Sequence, residues 1–215
     1  MKRIVIFDLD GTLLNSVADL AQATNHALAQ LGYPQHPTEA YRYFVGNGIN
    51  KLFERALPEG EKTPENVQRV RACFIPYYNE HKCDCTRPYE GVEDLLQALR
   101  DKEVCMAIAS NKYMEATTRL VADFFPHIPF AVVLGQRESI PVKPHPQIVF
   151  DILQQTGYNP EDVLYVGDTP VDMQTAQNAG VQVVAVTWGF RPLEELKTYN
   201  PTYIVNHPLE IIDLI

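Results

Sequence analysis

Lys2-Arg3-Ile4-Val5-Ile6-Phe7-Asp8-Leu9-Asp10-Gly11-Thr12-Leu13 carries four consecutive apolar, mostly β-favouring residues straight into two carboxylates, a glycine and a hydroxyl. A continuous apolar run stopped by a turn signal is the pattern of a parallel strand covered on both faces. Sheets of that kind place their ligands beyond the carboxyl ends of the strands, where Asp8 and Asp10 fall. Carboxylates two residues apart repel, and withdrawing them from water disfavours both charges unless a cation or a proton compensates. A hard divalent cation with oxygen ligands is one remedy. An Asp so placed can also attack phosphorus while its neighbour moves a proton. Equally, a strand-end Asp pair can simply cap a helix or turn.

Outward from this stretch, Ser16-Val17-Ala18-Asp19 has the spacing of a capping box. Val17, Leu20, Thr24, Ala27, Leu28 and Leu31 then recur at helical intervals until Gly32 and Pro34. A short helix follows Pro37-Thr38 with Tyr41 and Phe44. Gly46-Asn47-Gly48 breaks it before Ile49, Leu52, Phe53, Ala56 and Leu57 resume the period. Thr63-Pro64-Glu65 starts a further helix with Val67, Val70, Phe74 and Tyr77 or Tyr78 on its apolar side. From Gly91 the chain alternates between strand and helix, with strands predicted at 104–109, 130–134, 163–166, 181–186 and near Tyr203, and a last helix near Leu214.

Alternation of this kind predicts an α/β fold with a doubly wound, parallel, Rossmann-like sheet. Between Phe7 and Val104 lie many more residues than the roughly 30 of a βαβ unit. The surplus is helical and is too long for a structureless loop. We therefore expect a catalytic core at 1–14 and 88–215, with an α-helical cap, a mobile lid, inserted at 15–87.

A hydrophobic fraction of 46% over 215 residues suits a globular interior, and a formal net charge of −9 argues against a broad surface for nucleic acid or anionic membrane. The apolar run after Lys2-Arg3 breaks at Asp8, too early for a signal peptide, and no apolar segment reaches the length of a bilayer span. The expectation is a cytoplasmic protein with reduced cysteines. Cys83-Asp84-Cys85, with Cys73 and His81 nearby, raises the question of zinc. The C-x-C spacing is not a C-x-x-C knuckle and no second knuckle follows, so the cysteines read as loop residues.

Two further segments place polar residues at strand ends, Ser110-Asn111-Lys112 and Gly167-Asp168-Thr169-Pro170-Val171-Asp172, and a Pro-flanked loop between them carries Lys143. Right-handed crossovers bring such ends to one sheet edge. Taken singly, Ser110 reads as a helix cap, Lys143 as a solvated loop lysine and Asp172 as a partner of a helix dipole.

In order and spacing, these segments together with Asp8-Leu9-Asp10-Gly11-Thr12 resemble the haloacid dehalogenase-like hydrolase superfamily, with the insert where that superfamily's first cap class lies. The resemblance implies that Asp8 is the nucleophile that takes a phosphoryl group and that Asp10 protonates the leaving oxygen and then activates water. It further implies Mg2+ held by Asp8, the Asp10 carbonyl and Asp168, phosphate bound by Ser110 and Lys143, and Asp172 standing behind the metal ligands. Dehalogenases of the superfamily lack the second acid, so Asp10 favours a phosphatase. One departure is Asn15-Ser16 where cap-bearing members often carry Asp before Ser.

Softer likenesses, in Phe44-Val45-Gly46-Asn47-Gly48, Ser110-Asn111-Lys112 and Trp188-Gly189-Phe190, point to the phosphoglycolate phosphatases. The expected substrate is then a small phosphorylated metabolite, 2-phosphoglycolate first, met by Thr12, Gly46, Asn47, Lys51, Asn111 and Lys112. The enzyme would act as a monomer or homodimer without nucleic acid or membrane. A phosphosugar mutase or a pyrophosphatase of the same superfamily is the alternative. A receiver-like signalling module is more remote, because its acceptor Asp follows a later strand.

Overall fold

The computed structural model describes residues 2–215. Strand β1 (Ile4–Phe7) has no solvent exposure, with Val5 and Phe7 entering one apolar cluster and Ile4 and Ile6 another. Each face of the sheet therefore takes alternate residues, which is why the run contains no polar position. Beyond it come a two-residue strand β2 (Leu14–Asn15) and four helices, α1 (Val17–Gln30), α2 (Thr38–Phe44), α3 (Ile49–Ala56) and α4 (Pro64–His81). Strand β3 (Arg87–Pro88) then returns antiparallel to β2, with Asn15 opposite Arg87. The helical insert thus leaves and re-enters through one short ladder.

The remaining chain winds as α5 (Val92–Asp101), β4 (Cys105–Tyr113), α6 (Met114–Phe124), β5 (Val132–Gln136), α7 (Gln147–Thr156), β6 (Val163–Gly167), α8 (Pro170–Ala179), β7 (Gln182–Val186), α9 (Leu193–Lys197) and β8 (Tyr203–Val205). The six long strands form a parallel sheet in the order β5-β4-β1-β6-β7-β8. Strand order reverses between β1 and β6, the crevice where such sheets bind ligands. Helices α1–α4 bury a third apolar cluster, with Tyr41, Phe53, Phe74 and Tyr78 at its centre, over the carboxyl ends of the strands.

The structure departs from several local expectations. The capping box at Ser16 does not form: the Ser16 hydroxyl donates to Asp10 Oδ1 at 2.5 Å, and Asp19 accepts instead from Cys85 N (2.9 Å), Thr86 N (2.8 Å) and Thr86 Oγ1 (2.7 Å). Tertiary partners carrying charge outbid a local cap. β4 runs on through Ser110-Asn111-Lys112, its register with β5 shifting between Ala109 and Tyr113. β5 starts two residues later than expected, and the terminal helix is a 3₁₀ segment, Pro208–Leu214.

Cys73 lies within α4 while Cys83 and Cys85 follow it, and all are free. His81 Nδ1 faces Asp84 at 2.8 Å, and no cluster of metal-ligating size forms there among the described residues. Among the same residues, no helix is long and apolar enough to cross a membrane.

Candidate active site

Phe7 pairs with Val166 across β1 and β6, so Asp8, one residue on, and Asp168, two residues on past Gly167, leave neighbouring strands where the strand order reverses. The first turn of α8 adds Asp172, whose Oδ2 accepts from Thr169 N (3.1 Å) and Thr169 Oγ1 (2.7 Å) in a capping box. Asp8, Asp168 and Asp172 each bring a carboxylate oxygen within 4.8 Å of the others. Backbone presses against this cluster. A Cβ on Gly11, whose φ is +90°, would lie 2.2 Å from Asp168 Oδ2, and one on Gly189 would lie 2.2 Å from Asp168 Cβ. Only glycine fits at either place.

Lys143 supplies the counter-charge. Its side chain is 1% exposed, and Nζ lies 3.0 Å from Asp8 Oδ1 and 2.7 Å from Asp172 Oδ1, with the Ala109 carbonyl at 2.9 Å and the Tyr165 hydroxyl at 3.1 Å. Burial works against its charge, yet Asp172 and Asp8 overcome this and hold its pKa well above the usual lysine value. One ammonium does not balance three acids. Burial first, then Asp172, push Asp8 up to about 7 against the pull of Lys143. Burial, Asp172 and Asp8 drive Asp168 well above the carboxylate range. A buried, all-oxygen donor set with surplus negative charge fits a hard divalent cation.

Both oxygens of Asp168 are held, Oδ1 by the Thr12 hydroxyl at 2.9 Å and Oδ2 by the Phe190 amide at 2.8 Å. Thr12, expected against substrate, therefore turns to the acid. Trp188 Nε1 donates in turn to the Thr12 carbonyl at 3.0 Å.

Asp10 stands apart from the acidic trio. Lys112 Nζ reaches its two oxygens at 3.1 and 3.0 Å, and Ser16 adds the hydrogen bond already described. Lys112 is buried, and its ammonium lies 4.8 Å from the centre of the Tyr78 ring. Ser110 Oγ accepts from Lys112 N at 3.2 Å. Asp8, Asp10, Ser110, Asn111 and Lys112 line one cavity of about 40 Å³, whose opposite wall is Leu20, Val45, Gly46, Ile49, Leu52, Phe74 and Tyr78. The insert thus roofs the acidic floor with apolar surface.

Two expected substrate contacts lie elsewhere. Lys51 is exposed on α3 and pairs with Glu54 at 2.6 Å, because Ile49, Leu52, Phe53 and Ala56 take the inward face. Asn47 Oδ1 accepts from Arg55 at 2.7 Å, and Asn47 and Lys51 line a separate groove. Asn111 lies at the cavity but is fully engaged: Nδ2 donates to the Gly46 and Lys143 carbonyls at 2.9 and 3.0 Å, and Oδ1 accepts from Lys143 N at 2.8 Å. It clamps the turn of the insert to the core, leaving the Gly46 backbone on the wall.

Sequence reasoning missed Ser16 as the partner of Asp10, and missed Tyr78 and Phe190 as parts of the site. The periodicity marks Tyr78 only as an apolar helix position, and its buried hydroxyl has no hydrogen-bond partner among the described residues. Trp188-Gly189-Phe190 stands out in the chain as a family likeness, but nothing in it tells that the Phe190 amide meets Asp168.

Residues 5–186 match the family model described as haloacid dehalogenase-like hydrolase. A phosphoglycolate phosphatase from Haemophilus influenzae is 32% identical, over 99% of this chain and 98% of its own length. The crystal structure of a predicted phosphoglycolate phosphatase from Haemophilus somnus superimposes with a TM-score of 0.91 at 30% identity, covering 99% of this chain and 97% of that one. A haloacid dehalogenase-like family hydrolase from Streptococcus pneumoniae gives 0.86 at 28% identity, over 99% and 98% of the two chains.

Proposed function

Because this chain belongs to the haloacid dehalogenase-like hydrolase family, we propose that it is a Mg2+-dependent phosphatase in which Asp8 carries the phosphoryl group and 2-phosphoglycolate is the substrate. The observation that supports this reading is the shared cavity: Asp8, Asp10, Ser110 and Lys112 open onto one small space between core and insert. Asp8 and Asp168, with the Asp10 carbonyl, would hold the ion. Bound there, it neutralises the acidic cluster and draws electron density from the phosphate oxygens.

The protein's own groups carry the bonds. A carboxylate oxygen of Asp8 attacks phosphorus as the ester P–O bond breaks, and Asp10 passes a proton to the departing oxygen. Asp10 then takes a proton from water as that water attacks the aspartyl phosphate, which frees inorganic phosphate and restores Asp8. Ser110 meets the phosphate oxygens from the end of β4. Lys143 holds Asp8 in place and balances the charge, while Asp172 orients Lys143.

Lys112 is the cation on the substrate side. An arriving anion competes with Asp10 for its ammonium, and a carboxylated tail under the apolar roof meets in Lys112 the one positive charge that the described residues place on the cavity wall. Size works in the same direction, since a space this small rejects bulky leaving groups.

The test is phosphate release from a panel of phosphomonoesters with Mg2+ present. Phosphoglycolate should lead in kcat/KM. Sugar phosphates or pyrophosphate faster by orders of magnitude would overturn the substrate assignment, and no release from any ester would overturn the chemistry.

A further inference from the structure

The segment Trp188-Gly189-Phe190-Arg191 is held from two sides. On the core side, Phe190 N donates to Asp168 at 2.8 Å and Trp188 Nε1 to the Thr12 carbonyl at 3.0 Å, while Thr12 holds the other oxygen of Asp168. On the insert side, Arg42 of α2 donates to the Gly189 carbonyl at 3.1 Å, and Arg191 donates to the Tyr43 carbonyl at 3.2 Å with its guanidinium 4.8 Å from the Tyr43 ring centre. The Phe190 ring itself, 3% exposed, belongs to the apolar cluster of the insert rather than to either core cluster. One residue thus gives its amide to an acid of the proposed metal site and its side chain to the roof.

We propose that this segment couples the seating of α2 to the orientation of Asp168, making Phe190 and Arg42 positioning residues for the metal ion. The inference rests on the metal reading given above. Neither oxygen of Asp168 can shift freely while Thr12 and Phe190 hold it, and Phe190 cannot move without leaving the apolar cluster of the insert. Gly189 allows no slack, because its backbone lies too close to Asp168 for a side chain. Lifting α2 therefore draws Phe190 N off Asp168, and an ion that needs Asp168 in register pulls the other way. Such coupling is reciprocal: metal binding tightens the seating of the insert by the factor by which seating tightens metal binding.

The experiment titrates Mg2+ into the full-length protein by calorimetry and follows amide hydrogen exchange of residues 38–44 with and without the ion. Wild type should bind Mg2+ and gain protection in α2. Arg42→Ala, an exposed position where folding is not at risk, should bind Mg2+ roughly fivefold or more weakly and lose most of that gain. Arg42→Lys should recover part of it. Phe190→Ala should show the larger loss and Phe190→Leu the smaller. Wild-type affinity in both Arg42→Ala and Phe190→Ala, or exchange in α2 indifferent to Mg2+, would overturn the coupling while leaving the phosphatase standing. Failure of wild type to bind Mg2+ at all would overturn the metal reading and the coupling together.

Discussion

Burial and the Asp172 carboxylate push Asp8 up to about 7, whereas an unfolded chain releases the same proton near about 3.9. Between those values the native state binds more protons than the unfolded one, so stability of the metal-free protein falls as pH rises through the window. Asp168 is raised in the same direction and adds to the slope. A divalent ion competes with these protons, so the rise in Tm produced by Mg2+ should be larger at pH 8 than at pH 5. Equal shifts, read by fluorimetry against EDTA, would contradict the assignment. Asp8→Asn should abolish phosphate release. Because it removes a crowded negative charge, it should leave the metal-free Tm at pH 8 no lower than wild type, and near-normal turnover would sink the nucleophile.

Helix α3 carries two lysine tests between itself and the strand it faces. Lys112, at the end of β4, is the cation of the cavity, and a charge-assisted contact to substrate is worth about 1.5–3 kcal/mol. Lys112→Met should accordingly lower kcat/KM for phosphoglycolate by roughly 10- to 100-fold, and by much less for an aryl phosphate that carries no carboxylate. Lys51→Ala should change neither by more than about twofold, since exposed pairs contribute little. Lys51 was expected against the substrate, yet the period of Ile49, Leu52, Phe53 and Ala56 defines the inward face and position 51 lies off it. Ser16 and Asp19 were not legible, because a capping-box spacing is a local pattern while their partners lie at Asp10 and at Cys85-Thr86. Asp19→Asn, which keeps shape but loses charge at a buried acceptor, should lower stability by about 1–3 kcal/mol in urea.

Across the whole molecule, the parallel sheet could be read because its central strands carry buried apolar runs, at residues 4–7, 106–109, 163–166 and 183–186, with no charged or amide residue to confuse them. The same apolar runs delivered Asp8, Ser110 and Asp168 to one edge. Lys143 came from its motif context, and its contacts with Asp172 and Tyr165 needed the fold. The docking of the insert lay beyond reach, since the Trp188-Gly189-Phe190 likeness does not tell what Phe190 packs against, and Tyr78 carries no local mark that separates a site wall from ordinary core. Gly189→Ala probes that docking directly: the added methyl must displace Asp168 or the segment between core and insert, an overpacking cost of about 1–3 kcal/mol. Mg2+ affinity should fall with it.

The ladder that pairs Asn15 with Arg87 has a separate consequence. An element whose two ends are neighbours in space can be exchanged as a unit, because the scaffold sees the same two anchor points whatever lies between them. Evolution can then vary the roof while the acidic floor stays under selection for chemistry alone. In the laboratory, a chimera carrying a relative's segment between Asn15 and Arg87 should keep Asp8-dependent turnover and take on the donor's choice of leaving group.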